Sequence, residues 1–246
     1  MKTVVQIGLF VASVTTSMSS AGLVLVQATQ PAGTSSLFNA VGTFNFGNNK
    51  ARLEAAGQTT QQGGNPGNGW WGDGSPTTPG TTPVRSWEVI WNNSTGVVDF
   101  KVYASSDWTG SAAMSMSRTP VLTPGNTIRG LDIGARLTNT NQSVTLNDVQ
   151  FNDGSGFVSV STANATYSGN AFFNNYHELV GTLGSFTLRG TALFPTGTTT
   201  SDSMRFFIDA RQALPAVPLP PAAWAGLSTL GVISGLGVLR RRKQQS

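Results

Sequence analysis

The chain has 246 residues and a formal net charge of +4 at pH 7, with a sequence pI near 9.9. Five basic residues lie at the two ends, Lys2 and the run from Arg240 to Lys243, which leaves 10 of the 15 basic residues against 11 acidic ones. This near-neutral body removes the electrostatic argument for a nucleic-acid partner. Cysteine is absent, which excludes disulfides, thiolate nucleophiles and cysteine-ligated metals.

The composition favours a β-rich exported protein over a helical cytosolic enzyme. Charged residues make up 11% of the chain, against roughly 25% in an average soluble domain. Glycine, serine, threonine and asparagine replace them, and these residues are typical of turns between short strands.

The first 28 residues are predicted to be a secretory signal peptide. Lys2 precedes an apolar stretch from Val4 to Val14, and a second apolar run extends from Ala21 to Val26. Small residues provide two candidate cleavage sites, one after Ala28 in Val-Gln-Ala and one after Ala21 in Ser-Ser-Ala. A buried N-terminal strand or helix is the alternative.

Residues 29–214 are predicted to form an antiparallel β-sandwich of jelly-roll or Ig-like type. The segment contains short β-branched and aromatic runs between turn residues, which indicates about seven to nine strands. In one run, Val98, Phe100 and Val102 alternate with polar residues and are expected to face the core. The candidate strands are Val41–Phe46, Arg85–Trp91, Val97–Ala104, Thr127–Leu137, Val144–Asn152, Phe157–Thr162, Leu179–Phe194 (two strands or one bent strand) and Met204–Ala210.

A long Gly/Pro-rich loop is predicted at residues 57–83, with Trp70 and Trp71 inside it. A linker does not need two adjacent tryptophans, so these residues are the preferred candidates for exposed stacking on a glycan. Trp87 and Trp91 are four residues apart on one face of a strand, where a core position is more common. The tryptophans considered together as a sugar-stacking platform are Trp70, Trp71, Trp87, Trp91 and Trp108.

Catalytic chemistry has little support in the sequence. The single histidine, His177, follows Asn174-Asn175-Tyr176 and is expected in a turn or on the surface, without a nucleophile-elbow motif nearby. Two carboxylates on strands need no motif, so a glycosidase pair among Glu54, Glu88, Glu178 and the aspartates stays open.

Oxygen-rich segments occur at Asn147-Asp148 and at Asn152–Gly156. They contain the ligand types that Ca²⁺ prefers, yet Asn-Asp-Gly is also a favoured turn sequence. The turn interpretation is preferred, and neither a metal nor another cofactor is expected.

The C-terminal region, residues 215–246, is predicted to be a membrane-targeting segment. Residues 222–239 are uncharged and apolar, and a helix of that length spans roughly 27 Å, close to a bilayer core. The basic residues 240–243 would remain in the cytoplasm, which places the preceding chain outside. Prolines between Leu214 and Pro221 keep the peptide before the helix extended.

The order of these parts resembles the PEP-CTERM sorting signal of Gram-negative bacteria. Val217, Pro218, Leu219 and Pro220 precede the apolar helix and the basic cluster Arg240, Arg241, Arg242 and Lys243. The commonest motif of the family is Pro-Glu-Pro; this chain has Pro218-Leu219-Pro220 instead, which is similar to the Val-Pro-Leu-Pro variants and leaves the exosortase subtype open. The resemblance implies recognition and cleavage by an exosortase; an ordinary tail anchor with a proline-rich stalk is the alternative.

The sequence therefore predicts a non-enzymatic protein of the cell surface or extracellular matrix. The export machinery and an exosortase are the expected processing partners. The mature protein is expected to associate with exopolysaccharide. The C-terminal helix would anchor the chain transiently in the inner membrane. A carbohydrate-binding surface module is the first alternative, and a secreted glycan hydrolase is the second.

Overall fold

A computed structural model describes residues 22–44, 50–58, 62–64, 84–103, 107–122, 127–138, 140–194 and 204–213. Residues 1–21, Trp70, Trp71 and everything after Ala213 lie outside the described residues. The predicted sorting motif, C-terminal helix and basic cluster therefore remain predictions. No helix among the described residues is long and apolar enough to cross a bilayer.

The described residues form fourteen β-strands and one 3₁₀ turn. All strand pairings between them are antiparallel. In chain order the elements are β1 (Val24–Gln27), β2 (Thr34–Phe44), β3 (Lys50–Ala55), β4 (Gln62–Gly64), β5 (Val84–Asn92), β6 (Val97–Val102), β7 (Met114–Arg118), β8 (Ile128–Arg136), β9 (Ser143–Asn152), β10 (Val158–Ser159), the 3₁₀ turn Ser161–Ala163, β11 (Ala165–Ser168), β12 (Phe172–Val180), β13 (Phe186–Leu193) and β14 (Met204–Ala213).

The strands form two sheets, which confirms the predicted antiparallel all-β architecture. Sheet I has the order β1-β12-β8-β14-β2-β3-β4 among the described strands. Sheet II has the order β10-β9-β13-β5-β6-β7, with β11 also paired to β9. From β8 onward the chain passes repeatedly from one sheet to the other, so neighbours within a sheet are distant in sequence.

Alternation along the strands separates the core from the two outer faces. On β6, Val98, Phe100 and Val102 are fully buried, as the sequence pattern predicts. Trp87 and Trp91 on β5 are also buried, which confirms the core interpretation for these two tryptophans.

Aromatic rings connect the sheets across the core. The ring centroids of Trp91 and Phe38 of β2 lie 6.2 Å apart, and those of Trp87 and Phe206 of β14 lie 5.7 Å apart. Trp87 fits because Gly190 of β13 is its register partner and has no side chain. A Cβ at Gly190 would lie 2.6 Å from Cζ2 of Trp87, which is too close for a carbon–carbon contact.

Several elements differ from the predicted strands. The Phe157–Thr162 run forms only the short β10 before the 3₁₀ turn. The Leu179–Phe194 run contains the end of β12 and the whole of β13, so it is two strands. Strands β3, β7 and β11 have no counterpart among the predictions, and β4 lies within the predicted loop at 57–83. Strand β1 lies within the predicted signal segment.

The fit between Trp87 and Gly190 predicts a local intolerance of added volume. We expect Gly190→Ala to lower the free energy of unfolding by about 1–3 kcal/mol, since overpacking displaces the ring or the strand. Gly184→Ala is the matched control, because a Cβ at Gly184 meets no atom within 4 Å. Urea denaturation at constant m-value measures both changes. Equal midpoints for the two variants would contradict this account of the core.

Candidate functional site

A row of polar side chains crosses the outer face of sheet II. The antiparallel register brings together Gln150 of β9, Arg189 of β13, Glu88 of β5 and Lys101 of β6. Each of these residues alternates with core residues on its strand, so the row faces away from sheet I. Arg189 lies at its centre.

The Arg189 guanidinium contacts two aromatic rings. Its central carbon lies 4.2 Å from the ring centroid of Trp108 and 3.3 Å from that of Phe157. Its Nε and one Nη donate to Oε1 of Gln150 at 3.0 and 2.8 Å. The cation–π contacts and the paired hydrogen bonds hold the planar group in one orientation. We call Arg189, Trp108, Phe157, Gln150 and Glu88 the arginine–aromatic cluster.

Hydrogen bonds to β5 position the surroundings of the cluster. Nε1 of Trp108 donates to the backbone oxygen of Trp87 at 3.1 Å. The Tyr103 hydroxyl donates to Oε2 of Glu88 at 2.9 Å. The pKa of Tyr103 is raised, mainly by burial and secondly by this hydrogen bond. The phenol therefore stays protonated and remains a donor. The tryptophan ring and the Glu88 carboxylate are therefore both fixed by the scaffold.

This arrangement can bind a polyhydroxylated ligand. Sugars present an apolar C–H face that packs on aromatic rings, and hydroxyl or carboxylate groups at their edges that pair with planar polar side chains. Phe157 is 39% exposed, so its ring is accessible from solvent. Arginine has five N–H donors, of which the described contacts use two on Gln150.

Sequence reasoning missed most of this cluster. The sequence indicates Trp108 for a stacking platform and Glu88 for a carboxylate pair, but it gives no indication of a site at Arg189 or Phe157. The only available signal was an arginine on the polar side of an alternating strand, between Leu188 and Gly190. No spacing connects it with Trp108 or Phe157, because folding alone brings these segments together.

The three glutamates do not form a glycosidase pair. Glu88 lies on the outer face of sheet II, whereas Glu54 of β3 and Glu178 of β12 belong to sheet I. Four strand spacings separate β3 from β12, which is roughly 19 Å. Paired catalytic carboxylates are about 5–9.5 Å apart. Glu54 and Glu178 instead form ion pairs with Arg52 and Arg129, each at 3.3 Å.

His177 is not in a turn or on the surface, so that expectation was wrong. It lies within β12 and is fully buried. Its Nε2 is 3.1 Å from the Thr162 hydroxyl, and its Nδ1 is 3.1 Å from the backbone oxygen of Asn175. Burial lowers the pKa of His177. The ring is therefore a neutral core group with both nitrogens paired.

A second charged group lies on the outer face of sheet I. Arg211 of β14 pairs through Nε with Oδ2 of Asp132 on β8 at 2.5 Å, and through an Nη with Oδ2 of Asp209 at 3.0 Å. The Ser36 hydroxyl of β2 donates to Oδ1 of Asp209 at 2.6 Å. We call Asp132, Asp209, Arg211 and Ser36 the buried charge network, after its two buried carboxylates.

Aromatic rings shield Asp132 of this network from solvent. Gly130 and Gly134 flank Asp132 on β8, and an added Cβ would lie 2.5 Å from the Tyr176 hydroxyl in the first case and 2.7 Å from Cζ of Phe207 in the second. The two rings therefore lie across the strand on either side of Asp132, which is 0% exposed. Asp132 and Asp209 are register partners. Because Asp132 is covered, the glycosidic bond of a substrate cannot lie between the two carboxylates.

The Asn152–Gly156 segment is a turn, as predicted. Oδ1 of Asn152 accepts from the backbone N–H groups of Gly154 and Gly156 at 2.7 and 3.0 Å. Oδ1 of Asp153 accepts from the N–H of Ser155 at 3.0 Å. These side-chain oxygens therefore accept hydrogen bonds from the backbone of the turn, as in an Asx-turn. Within the part of the chain that the structure describes, no group of three or more His, Asp or Glu residues could hold a metal ion.

The buried charge network makes stability depend on pH. Burial raises the pKa of Asp209 to about 6, although Ser36 and Arg211 lower it, while Asp132 and Glu54 add to the rise. Between pH 3.8 and about 6, Asp209 is therefore mostly protonated in the folded protein and mostly ionised in the unfolded chain, where its pKa is the ordinary 3.8. The free energy of unfolding should increase by about 2–3 kcal/mol as the pH falls from about 6 to about 4.

Asp209→Asn removes this contribution, so the variant should show a correspondingly smaller gain in that window. His177 acts in the opposite direction, since its lowered pKa makes stability fall below pH 6.5, but it does so in both proteins.

Ser36→Ala removes a hydrogen bond that favours the carboxylate, and should move the Asp209 transition to higher pH. Urea denaturation at several pH values measures all three proteins. Parallel curves for wild type and Asp209→Asn would contradict the prediction.

In comparisons with known proteins, no protein-family model matches the chain, and no curated protein matches it.

Proposed function

We propose that this chain is an exported, non-enzymatic protein of the cell surface or extracellular matrix that binds exopolysaccharide through the outer face of sheet II. Its C-terminal segment serves as an exosortase-processed sorting signal. The observation that carries the binding function is the arginine–aromatic cluster, where Arg189 contacts the rings of Trp108 and Phe157. The Glu88 carboxylate lies in the same row of the sheet.

The shape of this face favours an extended polymer. The polar row runs over several strands from Gln150 to Lys101, and neighbouring strands are about 4.8 Å apart. A chain of sugar units can thus contact both the rings and the polar edge at once. Arg189 and Lys101 lie on either side of Glu88 in this row, so the surface presents two basic groups and one carboxylate. It can therefore pair with hydroxyls and with acidic sugar substituents.

The strand order supports a jelly-roll assignment for the sandwich. In sheet I, β2, β14, β8 and β12 are consecutive neighbours, and in sheet II β5, β13, β9 and β11 are. This nested order of eight strands in two sheets is that of a double Greek key. Jelly rolls include lectin domains, although a fold alone does not define a function.

The sorting function is supported by the order of three sequence features. A Pro-rich peptide with Val217, Pro218, Leu219 and Pro220 precedes residues 222–239 in the sequence, and the basic cluster follows. A protease at the membrane surface requires an accessible extended peptide, and prolines maintain that conformation. Removal of the tag would free a nearly neutral β-domain from the membrane.

Binding to purified exopolysaccharide of the producing cell tests the proposed site. Phe157→Ala should weaken binding about two- to tenfold, because an aromatic contact contributes about 0.5–1.5 kcal/mol. Arg189→Lys should also weaken it, since lysine keeps the charge but loses the planar fork. Val158→Ala is the matched control, because Val158 is the next residue and is 65% exposed. Co-sedimentation or calorimetry measures the affinity.

The double variant Trp70→Ala, Trp71→Ala distinguishes the two candidate sites. Loss of binding in this variant alone would place the site in the predicted loop rather than on sheet II. Absence of binding by the wild-type chain would refute glycan binding altogether. Release of reducing ends from the polysaccharide would favour the hydrolase alternative.

Deletion of the exosortase gene tests the sorting signal. We expect a full-length, membrane-bound form to accumulate, because the helix is no longer removed. Pro218→Ala should reproduce this accumulation in wild-type cells, whereas Pro215→Ala, outside the motif, should be processed normally. Immunoblotting of membrane and culture fractions, with intact mass measurement, reports the products. The same mature mass with and without the protease would refute processing.

A further inference from the structure

Strand β1 is an integral part of sheet I. Its residues pair with β12 in the register Val24↔Val180 to Gln27↔His177. The pairing continues beyond the strand, since the N–H of Ala28 donates to the backbone oxygen of Tyr176 at 3.0 Å. The Gln27 side chain also donates to Oδ1 of Asn175 at 2.8 Å. Without β1, β12 would be an edge strand with unpaired backbone groups.

The residues just before β1 also belong to the fold. Leu23 is 6% exposed and packs in the hydrophobic core. Its backbone N–H donates to Oδ2 of Asp153 at 2.9 Å. Asp153 lies in the turn after β9, so this bond connects the start of sheet I with sheet II. Among the described residues, the contacts of the N-terminal segment with the core begin at Leu23.

Gly22 fits closely against the same carboxylate. A Cβ at this position would lie 2.6 Å from Oδ2 of Asp153, so a side chain would displace the oxygen that accepts from Leu23. An α-ammonium group on Gly22 would lie one residue before this hydrogen bond, beside a carboxylate that can balance its charge. A chain that starts at Gly22 thus suits the site both sterically and electrostatically.

The two candidate cleavage sites have opposite consequences for this structure. Cleavage after Ala28 would remove Leu23 from the core together with the whole of β1. Burial of a leucine side chain is worth about 1.5–3 kcal/mol, and the backbone pairing of β1 would be lost as well. Cleavage after Ala21 leaves all of these contacts in place. Both sites have a small residue at the position before the cut.

We propose that the mature protein begins at Gly22, by cleavage of the Ala21–Gly22 bond, and that residues 22–28 are a structural strand of the secreted domain. This inference rests on the proposed export. It redefines the predicted signal peptide as residues 1–21 and makes Leu23 and Asp153 the first contact of the mature chain.

Intact mass and N-terminal sequencing of the exported full chain test the proposal. The expected mature sequence begins Gly-Leu-Val-Leu. A product that begins at Thr29, or at any residue within β1, would overturn it. A wild-type chain that stays inside the cell with residues 1–21 attached would contradict the proposed export itself, and the proposed maturation with it.

A matched pair of substitutions locates the cut independently. Ala21→Gln places a large residue immediately before the proposed bond and should cause the unprocessed precursor to accumulate. Ala28→Gln makes the same change at the other candidate site and should leave the Gly22 terminus unchanged. Normal processing of Ala21→Gln, or a blocked Ala28→Gln chain, would assign cleavage to Ala28 and refute the inference.

Discussion

The packing of Trp87 between the sheets is the constraint on which the rest of the described structure depends. The chain has no cysteine, so the sheets are held together without disulfides, by burial of apolar surface and by a few hydrogen bonds between them. The Trp87 ring occupies the space left by Gly190 and meets Phe206 of the other sheet. Because side chains alternate on a strand, placing Trp87 inward places Glu88 outward. The carbonyl of Trp87 also accepts the hydrogen bond that positions Trp108. The core thus fixes part of the candidate site directly.

The sequence predicts strands well where alternation is strong and poorly where polar residues are buried. The β6 pattern of Val98, Phe100 and Val102 predicts a buried face because no polar residue interrupts it. Strand β12 was only partly identified, since its middle contains Asn175, Tyr176 and His177. Those polar groups are tolerated because folding supplies partners for the histidine ring and the asparagine amide. Two of these partners, the hydroxyl and the backbone oxygen of Thr162, lie on the 3₁₀ turn before β11, and a local pattern cannot reveal them.

The candidate site was less predictable than the fold for a similar reason. The arginine–aromatic cluster combines segments around residues 108, 157 and 189, which are brought together by strand order and by short loops. Sequence reasoning preferred tryptophans in a Gly-rich loop, because composition makes that loop conspicuous. Arg189 is inconspicuous, since an arginine on the outer side of a strand is usually only a solvated charge. Its two ring contacts give it significance, and they exist only in the folded chain.

The two outer faces use arginine in different ways, and the difference indicates which face is available for binding. Arg211 is paired with two buried carboxylates, and removing such a partner leaves an uncompensated charge. A ligand there would have to displace interactions on which the sheet depends. Arg189 contacts the exposed ring of Phe157, the ring of Trp108 and a neutral amide, so its remaining donors can exchange water for ligand without breaking an ion pair. Sheet I therefore contributes to the stability of the domain, including the attachment of β1, and the outer face of sheet II is the face that we propose for ligand binding.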